Sequence, residues 1–247
     1  MDIRKVGKAL AVMILTVVPV AAQQVSGAYD YPVKPETSGW KALKSHDDMQ
    51  RVCQIPETIL RNMSTADLAE TCLNYPLYGD MFAFDEFQKG FESVTSGFNG
   101  LQELLERNDA GIKLYEEYRQ MDPEAFGRDW PTVKKGEYAA KFYEVEILLA
   151  QEQILANFQR ELRTLLIREC IRKAQAKSKY PEIYGILSFS NLALVTGRIM
   201  VNENYVPFAQ KVAENKRLRS FLQDASFPDS NLVNEILDQA TLYVNEN

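Results

Sequence analysis

A stretch of forty-four residues without Gly or Pro, from Glu137 to Tyr180, places the strongest constraint on the fold. Because Gly and Pro are the residues that most often interrupt a helix, their absence favours long helical segments. Apolar residues recur here at helical spacing: Tyr138, Phe142, Val145 and Leu149, then Leu162, Leu166 and Ile171. A single helix of this length would extend about 66 Å. We therefore predict a break near Asn157 and two antiparallel helices.

The rest of the chain shows the same periodicity, and the period-2 alternation typical of half-buried strands is almost absent. With only 12 Gly and 10 Pro in 247 residues, many short strands joined by tight turns are not expected. We predict an all-α fold in which antiparallel helix pairs form a compact or gently superhelical arrangement. Faint internal echoes are irregularly spaced and do not indicate a repeat array. Later helices are expected at 184–202, 205–215, 216–223 and 229–244.

The stretch IPETILRNMSTADLAETCLNYP, residues 55–76, has the composition of a functional motif, but its notable residues suit helix boundaries. Ser64 is a good N-cap, and Asp67 occupies the capping-box position three residues later. Met63 and Leu68 take the two places of a hydrophobic staple. The sequence here therefore predicts residues that begin and end helices, with no catalytic or binding role.

Residues 1–22 have the features of a secretory signal peptide. Three basic residues precede an apolar run, Ala9–Ala22, and a cleavage site is expected before Gln23. The run has 14 residues, fewer than the roughly 20 that a bilayer crossing requires. An uncleaved membrane anchor is the alternative. We predict a secreted or periplasmic protein with no transmembrane anchor after cleavage.

The mature chain divides into an arm and a helical domain. Residues 23–39 are polar and punctuated by Pro and Gly, which indicates an extended N-terminal arm. The helical domain spans residues 40–247, and its first helix is expected to start near Thr37 or Ser38 and to run through Cys53. The clearest break, GRDWPTVKKG at 127–136, suggests two lobes, 40–126 and 137–247.

Charge limits the choice of partners. Removing residues 1–22 takes three basic residues from 28 and one acidic residue from 34, which leaves 25 against 33 and a net charge of −8. Since binding to phosphate backbones requires a positive face, nucleic acid is not expected as a partner. The expected partner is a protein, a peptide or a cell-envelope component.

Three cysteines in an exported chain allow one disulfide and one remaining thiol. Cys53 and Cys72 are the favoured pair because they lie on adjacent predicted helices, and Cys170 would stay free. Three buried free thiols are an equally open alternative. Neither their spacing nor their neighbours indicate a zinc site.

The single histidine, His46, restricts catalysis. Any mechanism that pairs a serine or cysteine with histidine must use it, yet Cys53 lies about 10.5 Å further along a common helix. We expect His46 to be exposed among its polar neighbours. No phosphate-binding glycine loop or calcium loop is present, so no catalytic residue, metal or cofactor is predicted.

Paired carboxylates remain the one catalytic alternative, since two acids can hydrolyse a glycosidic bond without histidine or metal. Six glutamates are candidates, although most are expected on solvated helix faces: Glu103, Glu106, Glu116, Glu117, Glu144 and Glu146. A histidine-independent glycan hydrolase is therefore the second hypothesis, behind a binding or structural module without catalysis.

Two surfaces are candidates for binding. A basic face on the second half of the long Gly- and Pro-free stretch is a candidate anion or acidic-partner site, and its residues are Arg160, Arg163, Arg168, Arg172 and Lys173. A solvated helix face is the plainer interpretation. An aromatic group between residues 78 and 91 is expected to fill the core; any exposed ring there would stack on sugars or hold a peptide.

Several segments also resemble a family of exported, all-helical bacterial proteins, of the type found in gut organisms, to which no activity is assigned. They include YDYPVKPETSGWKAL, CQIPETILRNMSTADLAETCLNYPLYGDMFAF, FNGLQELLERNDAG and VEILLAQEQIL. The resemblance covers about Asp30 to Phe208 and implies a helical fold and export. It carries over no functional residues. Some relatives continue into a further segment containing cysteine and histidine. If activity resides in that segment, this protein would be the helical module alone.

Overall fold

The computed structural model describes residues 27–226 and 228–247, and within them it forms helices and no strands. One isolated antiparallel bridge joins Glu86 to Ser226. The predicted all-α fold is confirmed, whereas the predicted signal peptide lies outside the described residues. The helices are α1 (Ser38–Lys41), α2 (His46–Val52), α3 (Glu57–Leu60), α4 (Thr65–Leu73), a 3₁₀ helix (Tyr78–Ala83), α5 (Phe87–Ser96), α6 (Asn99–Glu106), α7 (Ala110–Gln120), α8 (Thr132–Leu149), α9 (Glu152–Ala156), α10 (Arg160–Lys177), α11 (Ile186–Asn202), α12 (Val206–Glu214), α13 (Lys216–Asp224) and α14 (Ser230–Glu246).

The centre of the second half is α11, which packs against α8, α10 and α14. Its sequence is apolar around most of its circumference, as expected of a helix covered on several sides. Gly197 allows close packing there, because a Cβ at this position would lie 2.6 Å from a methyl carbon of Leu222. Thr196 is also buried, and its hydroxyl donates to the Leu192 carbonyl at 2.9 Å.

In the first half, α4 packs against α6 and α7, and α5 packs against the 3₁₀ helix. The contact between α5 and the 3₁₀ helix requires a glycine, since a Cβ on Gly90 would lie 2.2 Å from the Met81 carbonyl oxygen. The cap predicted at Ser64 is present: its hydroxyl accepts from the Asp67 amide at 3.1 Å. The Asp67 carboxylate accepts from the same hydroxyl, at 2.6 Å.

The predicted N-terminal arm is anchored where the structure describes it. The Tyr29 amide donates to the Thr71 hydroxyl at 2.8 Å, and the buried Tyr31 hydroxyl donates to the Thr71 carbonyl at 2.9 Å. The single helix predicted from Thr37 to Cys53 is wrong. It is two helices, α1 and α2, because both Thr37 and Ser45 act as N-caps.

The break predicted near Asn157 is confirmed. Asn157 caps the C-terminus of the short α9, which separates α8 from α10, and both long helices pack on α11. Helices on either side of residues 127–136 also contact one another, since α7 and α4 pack on α8 and α5 packs on α13. The two-lobe boundary at this segment stays a prediction.

Candidate functional site

A cavity of about 630 Å³ opens between the end of α4, the end of α7 with its following loop, and one face of α8. We call it the carboxylate cavity because five acidic residues and one lysine line it. The lining comprises Glu70, Leu73, Asn74, Glu117, Gln120, Met121, Asp122, Ala125, Glu137, Tyr138, Ala140, Lys141, Glu144 and Val145.

Helical geometry explains how α7 and α8 supply this lining. On α8, Glu137, Lys141 and Glu144 are spaced by four and three residues and therefore share one face. Glu146 points elsewhere and is fully buried. On α7, Glu117 lines the cavity, whereas the adjacent Tyr118 is buried in the core.

Two carboxyl groups in the cavity have pKa values above the ordinary value for glutamate. Burial raises the pKa of Glu144 to about 7, and the nearby Lys141 ammonium only partly opposes this. Burial and, next, the neighbouring Glu70 carboxylate raise the pKa of Glu117. Near neutral pH, a carboxyl group that still holds part of its proton thus lies in the same cavity as further acidic groups.

An aromatic flank borders the acidic residues. The Tyr138 hydroxyl donates to the Asp122 carbonyl at 2.5 Å, which fixes the ring at the cavity edge. Tyr138 also makes edge-to-face contacts with Trp130 and Phe142, with centroids 5.9 and 5.6 Å apart. The Lys134 ammonium lies 4.2 Å from the centre of the Trp130 ring.

A buried charged network lies behind α7 and α8. The Lys177 ammonium donates to Glu146 Oε1 at 2.6 Å, and both side chains are 0% exposed. The Tyr118 hydroxyl donates to the same oxygen at 2.8 Å. Burial raises the pKa of Glu146, and the Lys177 charge opposes that rise. Glu146 Oε2 has no hydrogen-bond partner among the described residues.

A second buried lysine connects this network to the cavity wall. The Lys173 ammonium donates to the Met121 carbonyl at 2.5 Å and pairs with Glu169 at 2.9 Å. It also lies 4.5 Å from the centre of the Tyr118 ring, a cation–π contact. Because Met121 lines the cavity, Lys173 holds the loop after α7 in place from behind.

The predicted basic face is engaged within the chain. Arg160 and Arg163 both pair with Glu203, at 3.3 and 2.8 Å. Arg168 donates to the Val244 carbonyl at 2.7 Å. These contacts tie α10 to the C-terminal ends of α11 and α14.

The placement of Lys173 on that face is wrong, because its side chain is 0% exposed. Arg172 remains exposed and forms a two-point contact with Glu169, at 2.6 and 3.0 Å. The sequence held one indication of the buried lysines. Leu166, Cys170, Lys173 and Lys177 follow one another at four-, three- and four-residue spacing, so both lysines continue an apolar stripe.

The three cysteines are buried free thiols in this structure. Burial raises the pKa of Cys53 to about 11, which makes its reactive thiolate scarce at neutral pH. The pairing of Cys53 with Cys72 stays a prediction. His46 is exposed, as expected, and its Nδ1 lies 3.6 Å from an Asp80 carboxylate oxygen.

The aromatic group between residues 78 and 91 divides into core and surface. Tyr78, Phe87 and Phe91 are buried, as predicted for core filling. Phe82 and Phe84 are instead 46% and 39% exposed. The Phe82 ring still contacts Tyr143, with centroids 4.9 Å apart, so only part of its surface is open.

Within the described residues, no group of three or more His, Cys, Asp or Glu side chains has the geometry to hold a metal ion. Over the same residues, no helix combines the length and apolar character that a bilayer crossing requires. Comparison of the chain with protein-family models, curated proteins and solved structures finds no match.

Proposed function

We propose that this protein is an exported helical binding module whose carboxylate cavity receives a cationic group from a protein, peptide or cell-envelope partner. One observation carries the proposal: five acidic residues surround the cavity and a single lysine opposes them. Export rests on the sequence of residues 1–22.

The electrostatics of the cavity favour such a ligand. Burial and, next, the Glu70 carboxylate raise the pKa of Glu117, so the negative charges of Glu70 and Glu117 oppose each other. An ammonium or guanidinium group would relieve that repulsion and form charge-assisted hydrogen bonds with the carboxylates. The Tyr138 ring at the edge would add a cation–π contact.

Binding should release a proton near neutral pH. Burial raises the pKa of Glu144 to about 7, and a bound cation would stabilise its carboxylate form. Affinity should therefore increase between about pH 6 and about pH 8. Repulsion with Lys141 would weaken binding, so Lys141→Gln should strengthen it.

The test uses hexalysine as a probe in titration calorimetry, with hexaglutamate as the opposite-charge control. The Glu117→Gln/Glu144→Gln variant should lose about tenfold or more in affinity. Glu106→Gln is the matched control, because it neutralises one exposed carboxylate on α6, away from the cavity. Equal affinity of all three proteins, or affinity independent of pH, would contradict the proposal.

A second candidate function is a glycan hydrolase that uses paired glutamates. The observation that favours it is the burial of Glu144, which raises its pKa to about 7, in the same cavity as a second carboxyl group, that of Glu117. Glu144 would donate its proton to the glycosidic oxygen, and Glu117 would act as base or nucleophile. Neither step needs histidine or a metal.

This candidate is tested by incubation with peptidoglycan and a panel of host glycans, followed by measurement of released reducing ends. Activity should be lost in Glu144→Gln and in Glu117→Gln and kept in Glu106→Gln. Absence of product with every substrate, at high enzyme concentration and across pH, would rule the hydrolase out and leave the binding module.

A further inference from the structure

A polar groove separate from the carboxylate cavity runs between α5, α9, α11 and α13. It consists of two adjoining cavities of about 570 and 250 Å³ that share Glu152, Arg198 and Gln223. We call it the Arg198 groove. None of its lining residues lines the carboxylate cavity.

The floor of the groove is a buried guanidinium group. Arg198 is 6% exposed and donates to the Ala150 and Leu222 carbonyls, both at 2.8 Å. It also donates to the Gln223 carbonyl and to Gln88 Oε1, both at 3.1 Å. Four of its five N–H groups are thus engaged. No acceptor for the fifth, on Nη1, is found among residues 27–226 and 228–247.

Carboxamides surround this floor. Gln151 is 1% exposed, donates to the Ile147 carbonyl at 2.8 Å and accepts from Gln88 at 3.1 Å. At the rim, Gln153 and Gln223 are exposed, and their side-chain carboxamides make no hydrogen bond within the described part of the chain. The groove therefore offers free donors and free acceptors side by side.

The groove is balanced in charge. Two carboxylates line it, those of Glu92 and Glu152, and two guanidinium groups, those of Arg198 and Arg219. Arg219 already donates to the Val212 carbonyl at 2.7 Å. A ligand with a strong net charge would gain little here, whereas a neutral ligand with many hydroxyl groups would find partners for both its donors and its acceptors.

We infer that the Arg198 groove binds a neutral oligosaccharide. Planar carboxamide, carboxylate and guanidinium groups match pairs of neighbouring sugar hydroxyls, and Val201, Val212 and Leu222 offer an apolar wall for the C–H face of a ring. Two adjoining cavities that share three lining residues suit more than one sugar unit. An extended peptide is less well matched, because it is usually bound along a strand edge and the described residues contain no strand.

The experiment measures binding of four neutral hexasaccharides, chitohexaose, cellohexaose, maltohexaose and xylohexaose, by titration calorimetry. At least one should bind, with an affinity that is the same at low and high salt. Gln153→Ala/Gln223→Ala should weaken it about fivefold or more, the loss expected from removing one hydrogen bond. These exposed side chains support no described contact, so folding should be unaffected. Gln175→Ala is the matched control, an exposed glutamine on α10 that lines neither the Arg198 groove nor the carboxylate cavity.

Three results would overturn the inference. They are no binding of any hexasaccharide, binding that Gln153→Ala/Gln223→Ala leaves unchanged, and binding that is lost at high salt. Since the groove and the carboxylate cavity share no residue, Glu117→Gln/Glu144→Gln should bind the sugar normally. A failure here is therefore distinct from a failure of the cation-binding proposal.

Discussion

Replacement of Lys177 by methionine tests the energetics of the buried network directly. Lys177 and Glu146 are 2.6 Å apart and both fully buried, so removing the ammonium takes from a core carboxylate its directly bonded counter-charge. Methionine has a similar length and flexible apolar stem, which keeps packing changes small. We expect the free energy of unfolding at neutral pH to fall by about 3–5 kcal/mol.

The pH dependence of that loss identifies its cause. Burial already raises the pKa of Glu146 in the intact protein, and loss of Lys177 should raise it further. An acid with a raised pKa in the folded state binds more protons folded than unfolded, so its contribution to stability falls as pH rises above its unfolded pKa of about 4.5. The loss in Lys177→Met should therefore be smaller near pH 5 than near pH 8.

The assay is urea unfolding followed by far-ultraviolet circular dichroism at the two pH values. Glu146→Gln/Lys177→Met removes the charge but keeps an acceptor for the Tyr118 hydroxyl, and it should recover about 2–3 kcal/mol of the loss. Lys179→Met removes an exposed lysine paired with Glu124 and should leave the free energy of unfolding nearly unchanged. Equal losses in Lys177→Met at both pH values would refute the unpaired charge as the cause.

Three further predictions concern packing, helix ends and pH. Gly90→Ala should lower stability by roughly 1–3 kcal/mol in thermal unfolding, because its Cβ would lie 2.2 Å from the Met81 carbonyl oxygen. Arg198→Met should cost on the order of 3 kcal/mol in urea unfolding, since it leaves several buried carbonyls without a donor. Glu144 has a raised pKa, so its contribution to stability is lost as pH rises from about 4.5 to about 7. Glu144→Gln should therefore gain stability relative to the wild type at about pH 8 and show no such gain at about pH 4.

Local sequence signals were enough to predict most helix boundaries. The break near Asn157 and the last four helices follow from apolar spacing and from the caps between them. The first helix was predicted too long because its apolar spacing continues through Cys53. The Ser45 cap that divides it was present in the sequence. The apolar spacing therefore runs across a helix boundary that only the capping residue marks.

The candidate site was less accessible from the sequence, because its contacts join residues far apart in the chain. Lys177 meets Glu146 from 31 positions away, and Tyr118 meets it from 28. Charged residues are expected on solvated faces by default. Lys177 continues an apolar stripe, but no local pattern shows that it meets Glu146 on another helix. The carboxylate cavity likewise depends on how α4, α7 and α8 come together.

The two sides of α7 and α8 are energetically connected. Glu144 lines the cavity and Glu146, two residues later, holds Lys177 in the core, so one helix carries both roles. The buried network fixes the helices from behind and keeps the cavity carboxylates close together despite the repulsion between their charges. A rigid frame that holds like charges together favours a ligand of opposite charge, because the ligand removes a repulsion that the fold cannot relax by moving apart. Loosening the network should therefore weaken cation binding without replacing any cavity residue. Lys173→Met releases the carbonyl of the cavity residue Met121, so hexalysine affinity should fall in this variant.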